Sequence, residues 1–275
     1  MKHIAVITGA SSGMGREFVR QLDGKFDEIW GIALEKEGLL KVKEEIKTPF
    51  VVLDFDLTKD ESFEKYTKML SDEGVVIDWL VNASGFGKFG RHDEIDVESS
   101  ANMIDLNCKA LLKMTELSLP YMKEGGRISN IASVAGFQPI PYIATYGATK
   151  AFVISYSRAL NQELRPRKIK ITTICPFWTK TAFFDRATKT KAKEQVVSKY
   201  VVMYNPEKVV AKAIKDTQKG KELSIYGFVA RSQVRLVNIL PKKWVMDIWI
   251  KQQKLNKLYK TKDKSMVDDK NGNNR

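Results

Sequence analysis

The sequence of 275 residues is poor in the side chains that build metal centres and disulfide frameworks. Its two cysteines, Cys108 and Cys175, lie far apart, and its two histidines, His3 and His92, have no second ligand at a metal-binding spacing. We therefore expect no metal site. We expect both cysteines to be small buried hydrophobic residues of a protein from a reducing compartment.

Long apolar runs are also missing, since no run approaches the roughly 18 to 20 residues that cross a bilayer. Residues 1–4 lead at once into a strand pattern, so we expect no signal peptide and a cytoplasmic protein. Hydrophobic residues still make up 43% of the chain, which is ample for the core of one large α/β domain or two small ones.

The net charge of +13 is concentrated in two stretches of the chain. Residues 242–275 contain ten lysines and arginines against four acidic residues, and residues 186–200 contain five against one. Because this excess does not follow a groove with spaced aromatic residues, we expect no nucleic-acid partner. Solvated basic surface is the default interpretation, and attraction to phosphate, an acidic substrate or an anionic membrane surface is the alternative.

Short apolar runs alternate with segments of helical periodicity from residue 3 to residue 228. The predicted strands are 4–8, 29–34, 50–55, 75–81, 126–131, 169–174 and 223–228. Long helical patterns cover 92–119 and 142–164. This alternation predicts an α/β fold with one doubly wound parallel sheet. We expect a catalytic domain at 1–228, a helical extension at 229–260 and a disordered tail at 261–275.

A glycine-rich turn lies between the first predicted strand and the first helix. It reads Thr-Gly-Ala-Ser-Ser-Gly-Met-Gly over residues 8–15. Such a turn lets backbone amides approach a pyrophosphate at the helix N-terminus, where the helix dipole favours an anion. The turn predicts a Rossmann-type dinucleotide site. The cofactor-binding residues predicted in it are Thr8, Gly9, Ser11, Ser12, Gly13, Met14 and Gly15.

The end of the second predicted strand bears on the choice of cofactor. An acidic residue at this position would bind the free 2′-hydroxyl of NAD, but the strand ends at Leu34. Glu35 could bind a ribose and Lys36 could meet a 2′-phosphate, and both could simply be solvated. The missing acid at the strand end slightly favours NADP(H) over NAD(H).

A tyrosine and a lysine four residues apart, Tyr146 and Lys150, share one face of a predicted helix. A cationic neighbour lowers a tyrosine pKa from about 10, so we expect Tyr146 to act as a general acid/base. Ser133, thirteen residues upstream, could hold a substrate oxygen. The pair alone is a weak signal, because Tyr204 and Lys208 form a second copy that lacks the upstream serine.

Taken together, these motifs resemble the short-chain dehydrogenase/reductase family over about residues 3–228. The turn at 8–15 is similar to the family's Thr-Gly-x-x-x-Gly-x-Gly, and Asn82 and Gly85 match the outer residues of its Asn-Asn-Ala-Gly motif. The resemblance implies four catalytic residues, which are Asn107, Ser133, Tyr146 and Lys150.

The resemblance also implies a role for each of these residues. Tyr146 would exchange a proton with the carbonyl or alcohol oxygen, and Ser133 would hydrogen-bond that oxygen. Lys150 would lower the tyrosine pKa and bind the nicotinamide ribose, and Asn107 would hold a water that links Lys150 to solvent. The further cofactor-binding residues that the resemblance implies are Asp56 (against the adenine), Asn82, Gly85, Tyr146, Lys150, Pro176 and Thr181 (at the nicotinamide carboxamide).

Two motifs depart from the family pattern. Ala83 and Ser84 replace the middle of the fourth-strand motif, and Phe177 and Trp178 follow Pro176 where the family usually has glycine. We expect the bulky pair to narrow the pocket beside the nicotinamide.

The implied activity is reversible hydride transfer between NAD(P)H and a carbonyl or secondary alcohol. Apolar residues flank the catalytic elements and predict a hydrophobic substrate, either steroid-like or an acyl lipid. They are Phe137, Pro139, Ile140, Tyr142, Trp178, Phe183 and Phe184. The lysine-rich segment 179–200, which we expect to form a mobile flap, could instead meet an acidic group. The alternatives are an NAD(P)-binding sensor without turnover and a membrane-surface scaffold protein.

The predicted extension intersperses tryptophans with lysines, as at Trp244 and Trp249. It could pack one apolar side on the domain, which is the simpler interpretation, or lie as an anchor at a membrane surface. The family resemblance also implies a homo-oligomer formed through the two long helices.

Overall fold

The computed structural model describes residues 1–190, 196–197 and 199–255. Its centre is a seven-stranded parallel sheet in the order β3-β2-β1-β4-β5-β6-β7, which confirms the predicted doubly wound fold. The strands are β1 His3–Thr8, β2 Glu28–Ala33, β3 Phe50–Asp54, β4 Val76–Asn82, β5 Met122–Ile131, β6 Lys170–Ile174 and β7 Leu223–Ser224.

Helices cover both faces of the sheet. They are α1 Gly13–Leu22, α2 Lys36–Glu45, α3 Asp60–Glu73, α4 Val97–Ile104, α5 Leu111–Ser118, α6 Ala144–Glu163, α7 Phe183–Ala187, α8 Pro206–Gln218, α9 Phe228–Ile239 and α10 Lys242–Gln252. A π-helical segment, Asp105–Ala110, joins α4 to α5, and a 3₁₀ turn, Val134–Phe137, follows β5. Within the described residues, no helix is long and apolar enough to cross a membrane.

The central strands are apolar on both sides, as a parallel sheet covered by helices requires. In β1, Ile4 and Val6 pack into the core on one face, and Ala5 and Ile7 pack into the core on the other. All four are fully buried. The strand order reverses direction between β1 and β4, and at such a point the carboxyl ends of the strands border a ligand crevice.

Several predicted element boundaries were wrong, including the start of β5, which begins at Met122 and not at residue 126. Three of the others have local reasons. The helix predicted over 92–119 begins at Val97, because the Asp96 carboxylate caps it by accepting a 2.7 Å hydrogen bond from the Ser99 amide. The helix predicted over 142–164 begins at Ala144, since Tyr142 has a φ of 71°. The strand predicted over 223–228 contains two residues, because Gly227 turns the chain with a φ of 91° and α9 starts directly after it.

The predicted flap at 179–200 and the predicted C-terminal extension at 229–260 are described only in part. The segment 179–200 includes the short helix α7, while its residues 191–195 and 198 lie outside the described part of the chain. The predicted extension contains α9 and α10, and the predicted tail 261–275 lies wholly outside the described residues.

Candidate active site

The predicted site residues meet at the crevice beside β1, β4 and β5. The glycine turn follows β1, residues 83–85 follow β4, and Ser133 lies two residues after β5. The first turns of α6 bring Tyr146 and Lys150 to the same place. Parallel strands with neighbouring carboxyl ends therefore assemble residues that are far apart in the sequence.

The backbone of the glycine turn lies so close to neighbouring backbone atoms that no side chain fits at Gly9 or Gly15. Gly9 has a φ of 66°, and a Cβ on it would lie 2.9 Å from the backbone of Ala83. A Cβ on Gly15 would overlap the carbonyl oxygen of Gly9. Ser12 takes the N-cap position of α1 in an extended conformation, and its side chain makes no capping hydrogen bond. The first amides of α1 are therefore available to an anion.

Hydrogen bonds from buried side chains hold the rim of the crevice together. The Thr8 hydroxyl oxygen accepts hydrogen bonds from the amides of Ala83 and Ser84, both at 3.0 Å. The Asn82 side-chain amide donates to Thr115 Oγ1 at 3.0 Å and to Asn130 Oδ1 at 2.9 Å. Asn82 and Thr8 thus fix the end of β4 against its neighbours, and any direct contact between Asn82 and a cofactor stays a prediction.

Ser133 and Tyr146 line the same cavity. The Ser133 side chain lies close enough to the Tyr146 hydroxyl to influence the pKa of that phenol. The Ser133 oxygen also accepts a hydrogen bond from the Ala135 amide at 3.1 Å and lies 3.5 Å from the Pro176 carbonyl oxygen. Because both residues line this cavity, their hydroxyls can bind a single substrate oxygen there.

Lys150 lies behind Tyr146 and is almost completely buried. Its ammonium donates a 2.9 Å hydrogen bond to the Ile131 carbonyl oxygen and lies 5.7 Å from the centre of the Tyr146 ring. Burial lowers the pKa of Lys150 to about 8, which the neighbouring Cys108 and Cys175 thiols oppose only in part.

The prediction that Lys150 lowers the pKa of Tyr146 is wrong for the protein without a bound cofactor. Burial raises the pKa of Tyr146 to about 12, and the Ser133 side chain offsets only part of this rise. The helical spacing correctly places Lys150 close to Tyr146, but its ammonium is bonded to a backbone carbonyl. Tyr146 is therefore a protonated phenol at neutral pH.

Asn107 lies in the π-helical segment and is buried against the loop after β4. Its side-chain oxygen accepts a 3.0 Å hydrogen bond from the Phe86 amide, and its nitrogen donates to Phe86 O at 2.8 Å and Thr149 Oγ1 at 3.1 Å. A Cβ on Gly85 would lie 2.7 Å from Asn107 Oδ1 and 3.5 Å from Lys150 Nζ. The Asn107 side chain thus links this loop to Thr149 of α6, and a role in holding water stays a prediction.

Four of the remaining predicted cofactor residues lie at the same crevice. Met14, Gly85, Pro176 and Thr181 line the cavity described below, and the Thr181 side chain lies close to Gly13. The Asp56 carboxylate accepts hydrogen bonds from the Thr58 amide and hydroxyl in the turn after β3. Contact between Asp56 and an adenine stays a prediction.

A cavity of about 520 Å³ extends from the three catalytic candidates Ser133, Tyr146 and Lys150 to the C-terminal helices. Of the apolar residues predicted to line it, Ile140, Trp178, Phe183 and Phe184 do so. The prediction was wrong for Phe137, Pro139 and Tyr142, which do not line it. Phe137 packs instead with Ala132 and Val153 beneath the 3₁₀ turn.

Sequence reasoning missed the residues that α9 and α10 contribute to this cavity. They include Ser232, Leu236, Val237, Val245, Ile248 and Trp249. The Trp249 indole donates a 3.0 Å hydrogen bond to the Pro141 carbonyl oxygen, which fastens α10 above the loop that precedes α6. The available signal for this packing was Trp249, an apolar residue among lysines. Its partner Pro141 could not be identified because it lies 108 residues away in the sequence.

Comparison with known proteins agrees with this geometry. The family model for short chain dehydrogenases matches residues 3–192. An uncharacterized oxidoreductase from Staphylococcus epidermidis is 33% identical over 175 residues, which are 63% of this chain and 76% of that protein.

Some similar proteins have a name that states an acyl substrate, and some similar structures contain a nicotinamide cofactor. The very-long-chain 3-oxoacyl-CoA reductase from Bos taurus is 31% identical over 207 residues, which are 71% of this chain and 66% of that protein. A solved short-chain dehydrogenase from Sphingobium yanoikuyae in complex with NADPH has a TM-score of 0.71 and 25% identity, and the match covers 87% of this chain and 96% of that one.

Proposed function

We propose that this chain, which belongs to the short-chain dehydrogenase/reductase family and is an NAD(P)-dependent oxidoreductase, reduces a carbonyl group carried on a long apolar chain. A 3-oxoacyl thioester is the substrate class that fits best. The observation that carries this proposal is the apolar cavity that starts at Ser133, Tyr146 and Lys150 and continues beneath α9 and α10.

The residues of the crevice fit a dinucleotide. The close-packed glycine turn and the first amides of α1 suit a pyrophosphate, and Gly85, Lys150 and Thr181 border the place for a nicotinamide ribose and ring. A nicotinamide cofactor bound there supplies the hydride. The residues of the chain bind the cofactor, orient the substrate and protonate the carbonyl oxygen.

NADPH is the proposed form of the cofactor. Leu34, which follows β2, is exposed and can bind neither a ribose hydroxyl nor a phosphate. Lys36, the first residue of α2, has an exposed ammonium 3.9 Å from a carboxylate oxygen of Asp54 at the end of β3. A 2′-phosphate offers this lysine a stronger partner than one exposed carboxylate.

The protonation state of Tyr146 suits reduction. With a pKa of about 12 the phenol keeps its proton at neutral pH, so it can donate that proton to a carbonyl oxygen that gains negative charge. Ser133 donates a second hydrogen bond to the same oxygen. Lys150, whose pKa lies at about 8, carries a positive charge at neutral pH and stabilises the phenolate that forms.

Apolar burial supplies the selectivity for a long chain. Ile140, Val237 and Val245, which line the cavity, are all at least nine-tenths buried. Each methylene group that such a cavity removes from water contributes roughly 0.8 kcal/mol to binding. The bovine relative, whose name states a very-long-chain 3-oxoacyl-CoA substrate, supports this class.

A panel of carbonyl compounds tests the proposal. Consumption of NADPH and of NADH is measured with short and long 3-oxoacyl thioesters, a steroid ketone and a sugar carbonyl. We expect kcat/KM to be highest for the long acyl chain with NADPH. Turnover of the sugar alone would contradict the substrate class, and no turnover of any compound would favour a cofactor-binding sensor. The homo-oligomer and the cytoplasmic location stay predictions.

A further inference from the structure

The outer sides of α9 and α10 carry a row of large exposed apolar side chains. Ile239 is 81% exposed and Trp244 is 59% exposed. We call this surface the α9–α10 face, and its apolar residues are Phe228, Leu236, Ile239, Trp244 and Ile248.

Each of these helices has a second apolar side that already packs on the domain. In α10, Val245 and Trp249 are buried, while Trp244 and Ile248 face outwards. In α9, Val234 and Val237 are buried, and Leu236 and Ile239 face outwards. A helix that only covers a domain needs apolar residues on one side. The apolar residues on the outer sides of α9 and α10 therefore need another explanation.

The outer apolar row is continuous with the cavity. Phe228, Leu236 and Ile248 line the cavity and are also more than half exposed. Ile239 and Trp244 extend the same row beyond the cavity lining. The cavity therefore has apolar walls that continue onto the outer surface of α9 and α10.

Positive charge surrounds this row. Residues 228–255 contain six lysines and arginines, all exposed, against one acidic residue, Asp247. Within the described part of the chain, none of the six forms an ion pair with an acidic residue. The sequence of residues 256–275 adds six basic residues against three acidic ones.

We propose that the α9–α10 face binds the surface of an anionic lipid bilayer. Leucine, isoleucine and phenylalanine side chains enter the acyl boundary, Trp244 lies at the headgroup level, and the lysines and arginines contact anionic headgroups. A second copy of the chain fits this face less well, because two surfaces with the same excess of positive charge repel each other.

This binding does not depend on the substrate proposed above. One consequence of membrane binding does rest on the proposed function. It is that an apolar substrate passes from the bilayer into the cavity without crossing water. The two ideas are separated by measuring binding to vesicles that contain neither substrate nor cofactor.

Vesicle flotation with the full chain tests the proposal. Vesicles of phosphatidylcholine alone are compared with vesicles of equal parts phosphatidylcholine and phosphatidylglycerol, at low and at high salt. We expect the protein to float with the anionic vesicles and to be released by salt. We expect Ile239→Asp and Trp244→Asp, which change residues outside the cavity lining, each to weaken this binding by at least roughly tenfold.

Val97→Asp is the matched control. Val97 is 85% exposed at the start of α4, and the same substitution there should leave vesicle binding unchanged. Thermal midpoints confirm that each variant is folded. A wild-type protein that stays at the bottom of the gradient would overturn the proposal, as would an Ile239→Asp variant that floats like wild type. A dimer that forms without vesicles and is dissociated by Ile239→Asp would assign the face to a second copy and overturn it too.

Discussion

The Lys150 ammonium donates a 2.9 Å hydrogen bond to the carbonyl oxygen of Ile131, the last residue of β5. This bond ties helix α6 to the end of the central sheet. The bond also gives the buried ammonium a partner, but that partner is a neutral carbonyl oxygen. A neutral acceptor does not offset the free energy that the charged form loses when burial removes its hydration. Burial therefore lowers the pKa of Lys150 to about 8.

The shifted pKa of Lys150 predicts a pH dependence of stability. Between about pH 8 and pH 10.5 the folded protein holds Lys150 neutral, while the unfolded chain still binds its proton. The unfolded state binds more protons in this window, so the contribution of Lys150 to the free energy of unfolding rises with pH, by up to about 1.4 kcal/mol per pH unit. Below pH 8 both states are protonated, and this contribution is constant.

Urea unfolding of wild type and Lys150→Met at pH 7, 8, 9 and 10, without cofactor, measures this effect. The difference in free energy of unfolding should shift in favour of wild type as the pH rises above about 8. Lys65→Met, at an exposed position of α3, is the control for the loss of a lysine side chain outside the core. A Lys150→Met difference that does not change with pH would contradict the burial argument.

Lys36→Glu should reduce the use of NADPH. The substitution replaces the proposed partner of the 2′-phosphate by an acid that repels it, so kcat/KM for NADPH should fall by roughly tenfold or more. The kcat/KM for NADH should change little. Lys41→Glu, on the same helix and also exposed, should leave both values near wild type. Equal losses for both cofactors in Lys36→Glu would show that Lys36 does not recognise the phosphate.

Ser232→Trp should shorten the acyl chain that the cavity accepts. Ser232 lines the cavity in α9, so an indole there occupies the space proposed for the far end of a long chain. We expect kcat/KM for an acyl chain of about 16 carbons to fall by at least roughly tenfold, while a short chain keeps its value. Asn238→Trp, at an exposed position of α9 outside the cavity lining, controls for the added bulk. A uniform loss across chain lengths would place the acyl chain elsewhere.

Much of this site could be predicted because its signals are local in the sequence. The glycine turn can be recognised from the residues between β1 and α1 alone. Tyr146 and Lys150 can be paired because a four-residue spacing puts them on one helical face. The ends of β1, β4 and β5 meet because parallel strands share one edge of the sheet. The catalytic and binding roles of these residues stay predictions.

What could not be predicted depends on burial and on contacts between distant segments. The pKa of Tyr146 is set by the burial of its phenol and not by its spacing from Lys150. The far side of the cavity is built by α9 and α10, which are fastened by contacts such as that between Trp249 and Pro141. The sequence predicted a helical extension with one apolar side, but it could not show which segment that side covers.

Replacement of Tyr146 by phenylalanine tests the central claim most directly. Single-turnover oxidation of NADPH is measured with a long-chain 3-oxoacyl thioester, and cofactor binding is measured separately by fluorescence. Because the variant lacks the phenolic proton donor, its rate should fall by at least roughly a thousandfold, while the Kd for NADPH stays within about twofold of wild type. Tyr204→Phe, in the second Tyr-x-x-x-Lys pair, should keep the wild-type rate. A Tyr146→Phe variant that turns over at the wild-type rate would contradict the account.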